Sequence, residues 1–76
     1  MYTTTIQFNS VEEAKRFVNV CNTVDFAVEL VSGSYVVDAK SIMGIFSLDL
    51  SKPVELHAHC EDGTAFSDKI EEFIVA

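Results

Sequence analysis

Little in this chain punctuates a polypeptide: there is one proline and there are three glycines in 76 residues. That scarcity argues against a long linker or a disordered segment, both of which are built from residues that resist packing. Basic side chains are scarce as well. Five lysines and arginines stand against twelve aspartates and glutamates, a formal charge of −7, and such a balance repels nucleic acid and anionic membranes. Two cysteines, Cys21 and Cys60, are too few for a disulfide scaffold, so reduced thiols and a cytoplasmic setting are expected. No apolar run approaches the roughly 20 residues of a membrane span. The amino-terminal Met-Tyr-Thr-Thr-Thr-Ile has neither the basic nor the apolar region of a secretory leader, so none is expected.

What the chain does have is apolar mass. Hydrophobic residues make up 49% of it, with six phenylalanines and two tyrosines, enough for a core without metal or disulfide in one small domain. Tyr2 to Phe8 alternates, with Thr4, Ile6 and Phe8 on one face, and predicts a half-buried strand. Ser10-Val11-Glu12-Glu13 then has the pattern of a capping box that opens a helix. Val11, Ala14, Phe17, Val18 and Cys21 recur on one helical face. A strand over Val24–Val31, a turn at Ser32-Gly33-Ser34 and a returning strand from Tyr35 follow.

Ser41 begins a short apolar helix, because Pro53 forces the chain before it back to extended geometry. Val54 to Cys60 alternates with Glu55, His57, His59 and Glu61 in a last strand. A turn at Glu61–Thr64 leads to a final helix whose stripe is Phe66, Ile70, Phe73 and Ile74. The predicted order is β-α-β-β-α-β-α, an α+β two-layer sandwich with one wet sheet face.

The segment from Asp38 to Leu48 concentrates the functional signal. Ser41 stands at an N-cap, where its hydroxyl can accept from backbone N–H groups at the start of the helix, a place that also favours an anion. Lys40-Ser41-Ile42-Met43-Gly44-Ile45-Phe46-Ser47-Leu48 resembles the regulatory-serine segment of the HPr family, the phosphocarriers of the bacterial sugar phosphotransferase system. The resemblance extends from Ile6 to Ile74 and implies one HPr-like domain over residues 1–76. The implied sheet is antiparallel with strand order 1-4-2-3, covered on one face by three helices. It also implies that Ser41 is a phosphosite for an ATP-dependent HPr kinase/phosphorylase, and that Ile42, Met43, Ile45 and Phe46 form a docking patch. The plainer reading of Ser41, a helix cap and nothing more, stays open beside it.

One departure from the family governs the functional reading. The family carries its phosphoryl group on a histidine in a Gly-Leu-His-(Ala/Thr)-Arg-Pro-Ala segment. Alignment on Phe17-Val18 places Ser10 at that histidine, Glu12 at the arginine and Glu13 at the proline. A phosphoramidate can be passed on and a serine ester cannot. A glutamate in place of the arginine repels the arriving phosphate. No histidine phosphotransfer is expected, and no catalytic residue is assigned. The chain thus resembles the Crh-like branch of the family, which lacks the histidine and keeps the serine. That resemblance implies a non-enzymatic regulator of carbon-catabolite or sugar-uptake control, with a LacI-type transcription regulator as partner and no direct contact with nucleic acid.

Two alternatives remain at this level. One is a divergent protein-binding module with no phosphorylation. The other is a weak metal-binding protein through His57 and His59, which share one side of a strand with Glu55 or Glu29 nearby. No cofactor is implied by either.

Overall fold

Alternating residues become four short strands in the computed structural model, which describes residues 1–75. In chain order these are β1 (Tyr2–Ile6), α1 (Val11–Cys21), β2 (Val28–Ser32), β3 (Tyr35–Asp38), α2 (Ile42–Phe46), β4 (Val54–Ala58) and α3 (Thr64–Lys69). A 3-10 turn at Glu71–Phe73 follows. The strands lie in the order β1-β4-β2-β3, every neighbouring pair antiparallel. This is the open-faced α+β sandwich that the sequence implies. Ala76, the last residue of the expected domain, lies outside the described residues.

Register sorts the two faces of the sheet. Thr4 opposes Leu56, and Leu56 opposes Leu30, which opposes Val37, so this row faces the helices. The next row is Thr3, His57, Glu29 and Asp38, and it faces away from them. A one-residue slip would exchange the two rows, so burial of Leu30 and Leu56 pins the pairing. Gly33 closes the β2–β3 hairpin with φ 61, a conformation that a residue with a Cβ rarely adopts.

The helices bury stripes of the expected spacing. α1 packs Ala14, Phe17, Val18 and Cys21 inward, and α2 contributes Ile45. At the centre, Phe8, Phe17 and Phe73 form a three-ring cluster with centroids 5.2 to 5.8 Å apart. A second pair of edge contacts joins Phe66 to Phe26 and to Tyr2. Each buried phenylalanine contributes roughly 1.5–3 kcal/mol of transfer free energy, and the tilted and edge-on geometry adds to it.

Three expectations are corrected. The second strand starts at Val28, not Val24; Val24 and Phe26 pack against the core from an irregular approach instead. Val11 is mostly exposed at the first turn of α1, ahead of the stripe that meets the sheet. The last helix is not continuous through Ile74. It ends at Lys69, and the 3-10 turn swings Phe73 into the aromatic cluster while Ile74 pairs with Ile6 as an antiparallel bridge. Gln7 N–H donates to the Phe73 carbonyl and Val75 N–H to the Thr5 carbonyl, each at 3.0 Å. The end of the described chain therefore covers part of the outer edge of β1.

Candidate functional site

Ser41 sits at the N-terminus of α2 in extended geometry, and its Oγ accepts a hydrogen bond from Gly44 N–H at 3.2 Å. The backbone around it is tied from both sides. Ser41 N–H donates to the Asp38 carbonyl at 3.0 Å, and the Ser41 carbonyl accepts from Ile45 N–H at 3.1 Å. Asp38 Oδ1 accepts from Lys40 N–H at 2.8 Å, forming the turn that delivers Ser41 to its helix. From the other side, Asn22 at the end of α1 donates through Nδ2 to the carbonyls of Val18 and Lys40. Asn22 thereby clamps the approach to α2 onto α1. Sequence reasoning gave Asn22 no such role, because its partners are remote or backbone atoms.

The apolar residues of α2 divide between core and surface. Met43 is 76% exposed and Phe46 41% exposed, Ile42 is half-buried, and Ile45 is 0% exposed. Ile45 therefore leaves the expected docking patch. A five-residue helix lying on the sheet must turn one side chain directly inward, and Ile45 is that residue. Ile42 lines a groove between α1 and α2 together with Lys15, Val18 and Asn19. At the far end of α2, Asp49 Oδ1 accepts from both the hydroxyl and the N–H of Ser51. The Ser51 hydroxyl first, then its N–H, holds the Asp49 carboxyl below the usual range.

The position that resembles the family's phosphoryl-carrying site is occupied by a helix cap. Ser10 Oγ accepts from Glu13 N–H at 3.2 Å, and Glu13 Oε1 reaches back to Asn9 N–H at 3.2 Å. The expected capping box thus forms, with Glu13 bonding one residue earlier than the usual partner. Glu12 is exposed and lies 3.7 Å from Lys15. Arg16, one turn further on, is engaged by Glu72 at 2.6 Å, which raises its pKa chiefly through that hydrogen bond. The chain's two histidines are His57 and His59, both at or just beyond the end of β4, on a different element from Ser10.

On the open sheet face each of these histidines contacts a carboxylate. His57 Nε2 pairs with Glu55 Oε1, and His59 Nε2 lies 2.7 Å from Glu29 Oε1. Among the described residues no group of three His, Cys, Asp or Glu side chains is arranged to hold a metal ion. Cys21 and Cys60 are free thiols, and burial pushes the Cys21 thiol up to about 12. Among the described residues no helix is long and apolar enough to cross a membrane.

No curated protein matches the chain significantly. A family model described as the PTS HPr component phosphorylation site matches residues 11–76, beginning one residue after Ser10 and spanning Ser41 and all of α2. With the sheet order and the Ser41 segment as described, the chain belongs to the HPr family of the phosphotransferase system.

Proposed function

We propose that this HPr-family chain is a non-catalytic, Crh-like regulatory module of the cytoplasm, incompetent for histidine phosphotransfer and switched by phosphorylation of Ser41. The observation that carries the reading is the placement of Ser41. It caps α2 with an accessible hydroxyl-bearing side chain, beside two surface apolar residues, Met43 and Phe46. A phosphate there adds nearly two negative charges where a helix terminus tolerates them, so the surface changes while the fold persists. Ile42, Met43 and Phe46 then form the patch presented to a kinase of the HPr kinase/phosphorylase type and to a LacI-type regulator. Asp38 and Asp49 flank this helix and oppose the added charge, which sets a bound on how strongly phosphate can be held without a basic partner.

The test is the intact mass after incubation with ATP and a Gram-positive HPr kinase. One added phosphate is expected, absent from Ser41→Ala. An unchanged mass, with a standard HPr modified in the same tube, would overturn the proposal. A second reading, a protein-binding module that needs no phosphorylation, is favoured by the exposure of Met43 alone; it predicts partner capture by the unmodified chain that Met43→Ala abolishes. Metal binding through His57 and His59 has weaker support, since each imidazole already faces a carboxylate and, among the described residues, no group of three such side chains is arranged to hold a metal ion.

A further inference from the structure

The sheet ends at β3, and three independent features meet on that edge. The first is backbone geometry. Ala39 N–H donates to the Val28 carbonyl at 2.9 Å, and bonded pairs alternate along an antiparallel ladder. Leu30–Val37 and Ser32–Tyr35 are therefore the bonded pairs, and Val36 and Asp38 turn their polar backbone groups outward. Ser41 N–H occupies the Asp38 carbonyl. The N–H and carbonyl of Val36 and the N–H of Asp38 remain directed at the open edge.

The second feature is apolar exposure. Tyr35 is 69% and Val36 58% exposed, on an edge of the kind that proteins ordinarily guard with lysine, proline or a bulge. The third is charge. Beside the edge the open face has a concavity of about 450 Å³ whose walls include Asp25, Glu29, Val36 and Asp38. Its one cation, Lys40, has its Nζ committed to the Val24 carbonyl at 2.9 Å.

We propose that the β3 edge accepts an extended basic segment of a partner protein as a fifth, antiparallel strand. A partner residue opposite Val36 exchanges two backbone hydrogen bonds with it. The residue two places earlier in the partner lies opposite Asp38, accepts from its N–H, and projects its side chain onto the open face. There the cross-strand neighbours Asp38 and Glu29 meet it. The recognised pattern is lysine or arginine, any residue, then an apolar residue; backbone bonds supply affinity and the carboxylates select charge. A second copy of this chain fits less well, since it carries the same charge of −7 and its β3, Tyr-Val-Val-Asp, offers no cation. The surface shares Asp38 with the approach to Ser41 but includes none of Ile42, Met43 or Phe46, so it is tested on the unphosphorylated chain.

The experiment titrates the ¹⁵N-labelled full chain with a short peptide alternating arginine and valine, and with one carrying glutamate in place of arginine. Binding of the basic peptide alone is expected. It should shift the amide signals of Val36 and Asp38, slow their exchange with solvent, and be lost at high salt. The double variant Asp25→Asn, Glu29→Gln should weaken it roughly fivefold. Val36→Pro removes an outward N–H that bonds nothing in β2, so it should abolish binding with the circular dichroism retained. Should that variant not fold, the carboxylate variant decides. Equal binding of the acidic peptide, shifts confined to Met43 and Phe46, or self-association of the chain without peptide binding would each overturn the proposal.

Discussion

Ser41 caps α2, and that role can be separated from the proposed phosphorylation by two substitutions. Ser41→Ala removes the oxygen that accepts from Gly44 N–H at 3.2 Å. That bond is partly buried, so water replaces the lost partner poorly. Loss of a serine cap costs about 1 kcal/mol. For a domain of this size that lowers the melting temperature by about 4–8 °C. Total stability at about 0.05–0.15 kcal/mol per residue leaves several kcal/mol, so Ser41→Ala remains folded and is a valid control in a kinase assay. Ser41→Asp retains an oxygen at the cap and places charge at the positive end of α2, so its stability should lie within about 0.5 kcal/mol of the parent. Urea titrations followed by circular dichroism measure both, with equal m-values required for the comparison. If Ser41→Ala is as stable as the parent, the hydroxyl is not capping α2. If Ser41→Asp falls as far as Ser41→Ala, a carboxylate near Asp38 is repelled, and phosphate at that position should be unfavourable as well.

Two further measurements probe the packing. At Gly63 an added Cβ would sit 2.4 to 2.6 Å from Tyr2 Cγ, Cβ and Cδ1, so Gly63→Ala must displace the Tyr2 side chain at its root; a loss of about 1–3 kcal/mol is expected in the same urea assay, and an unchanged midpoint would refute it. The Cys21 thiol, pushed up to about 12 by burial from an ordinary value of 9.0, keeps its proton in the folded chain while the unfolded chain loses it. Across that window the unfolded state therefore binds fewer protons, and stability falls as pH rises from 9.0 toward 12 by up to about 4 kcal/mol. Cys21→Ala should flatten that part of the stability–pH curve, and an identical decline in the variant would sink the assignment.

Much of the fold could be read from side-chain period and cap chemistry, because both are local. The alternation around Leu30 and Leu56 specified which face is buried, and Ser10, Glu13 and Ser41 announced two helix starts at the residues where the structure places them. The misreadings share a cause. Val24, Phe26 and Ile74 are apolar in the right period, yet their backbones follow no regular element, since tertiary burial needs only the side chain to reach the core. Val11 fits the helical period but falls outside the contact footprint of the sheet. The division of α2 into buried Ile45 and exposed Met43 depends on the rotation of one short helix, which five mostly apolar residues cannot encode by pattern. Pairings such as Arg16 with Glu72, and the Asn22 clamp on Lys40, depend on the assembled fold.

The contacts around Ser10 bear on the proposal that this family member is a regulator without carrier chemistry. Loss of a phosphoryl-carrying histidine by drift would be expected to leave its former neighbours without partners, since an active site is built from groups that serve the reaction at some cost to stability. Here the residues that take those positions complete one another. Ser10 accepts from Glu13 N–H, and Glu13 in turn accepts from Asn9 N–H. Among the described residues no buried side-chain nitrogen or oxygen lacks a hydrogen-bond partner. Of the cations on α1, Arg16 is engaged by Glu72 and Lys15 lies 3.7 Å from Glu12. The start of α1 is thus closed by its own side chains. That arrangement stabilises α1 by about as much as an N-cap contributes, roughly 1 kcal/mol, and it leaves Ser41 as the one helix start of the pair with no carboxylate in its own first turn. The pattern is that of a stable scaffold that presents α2, as the proposed regulatory reading requires.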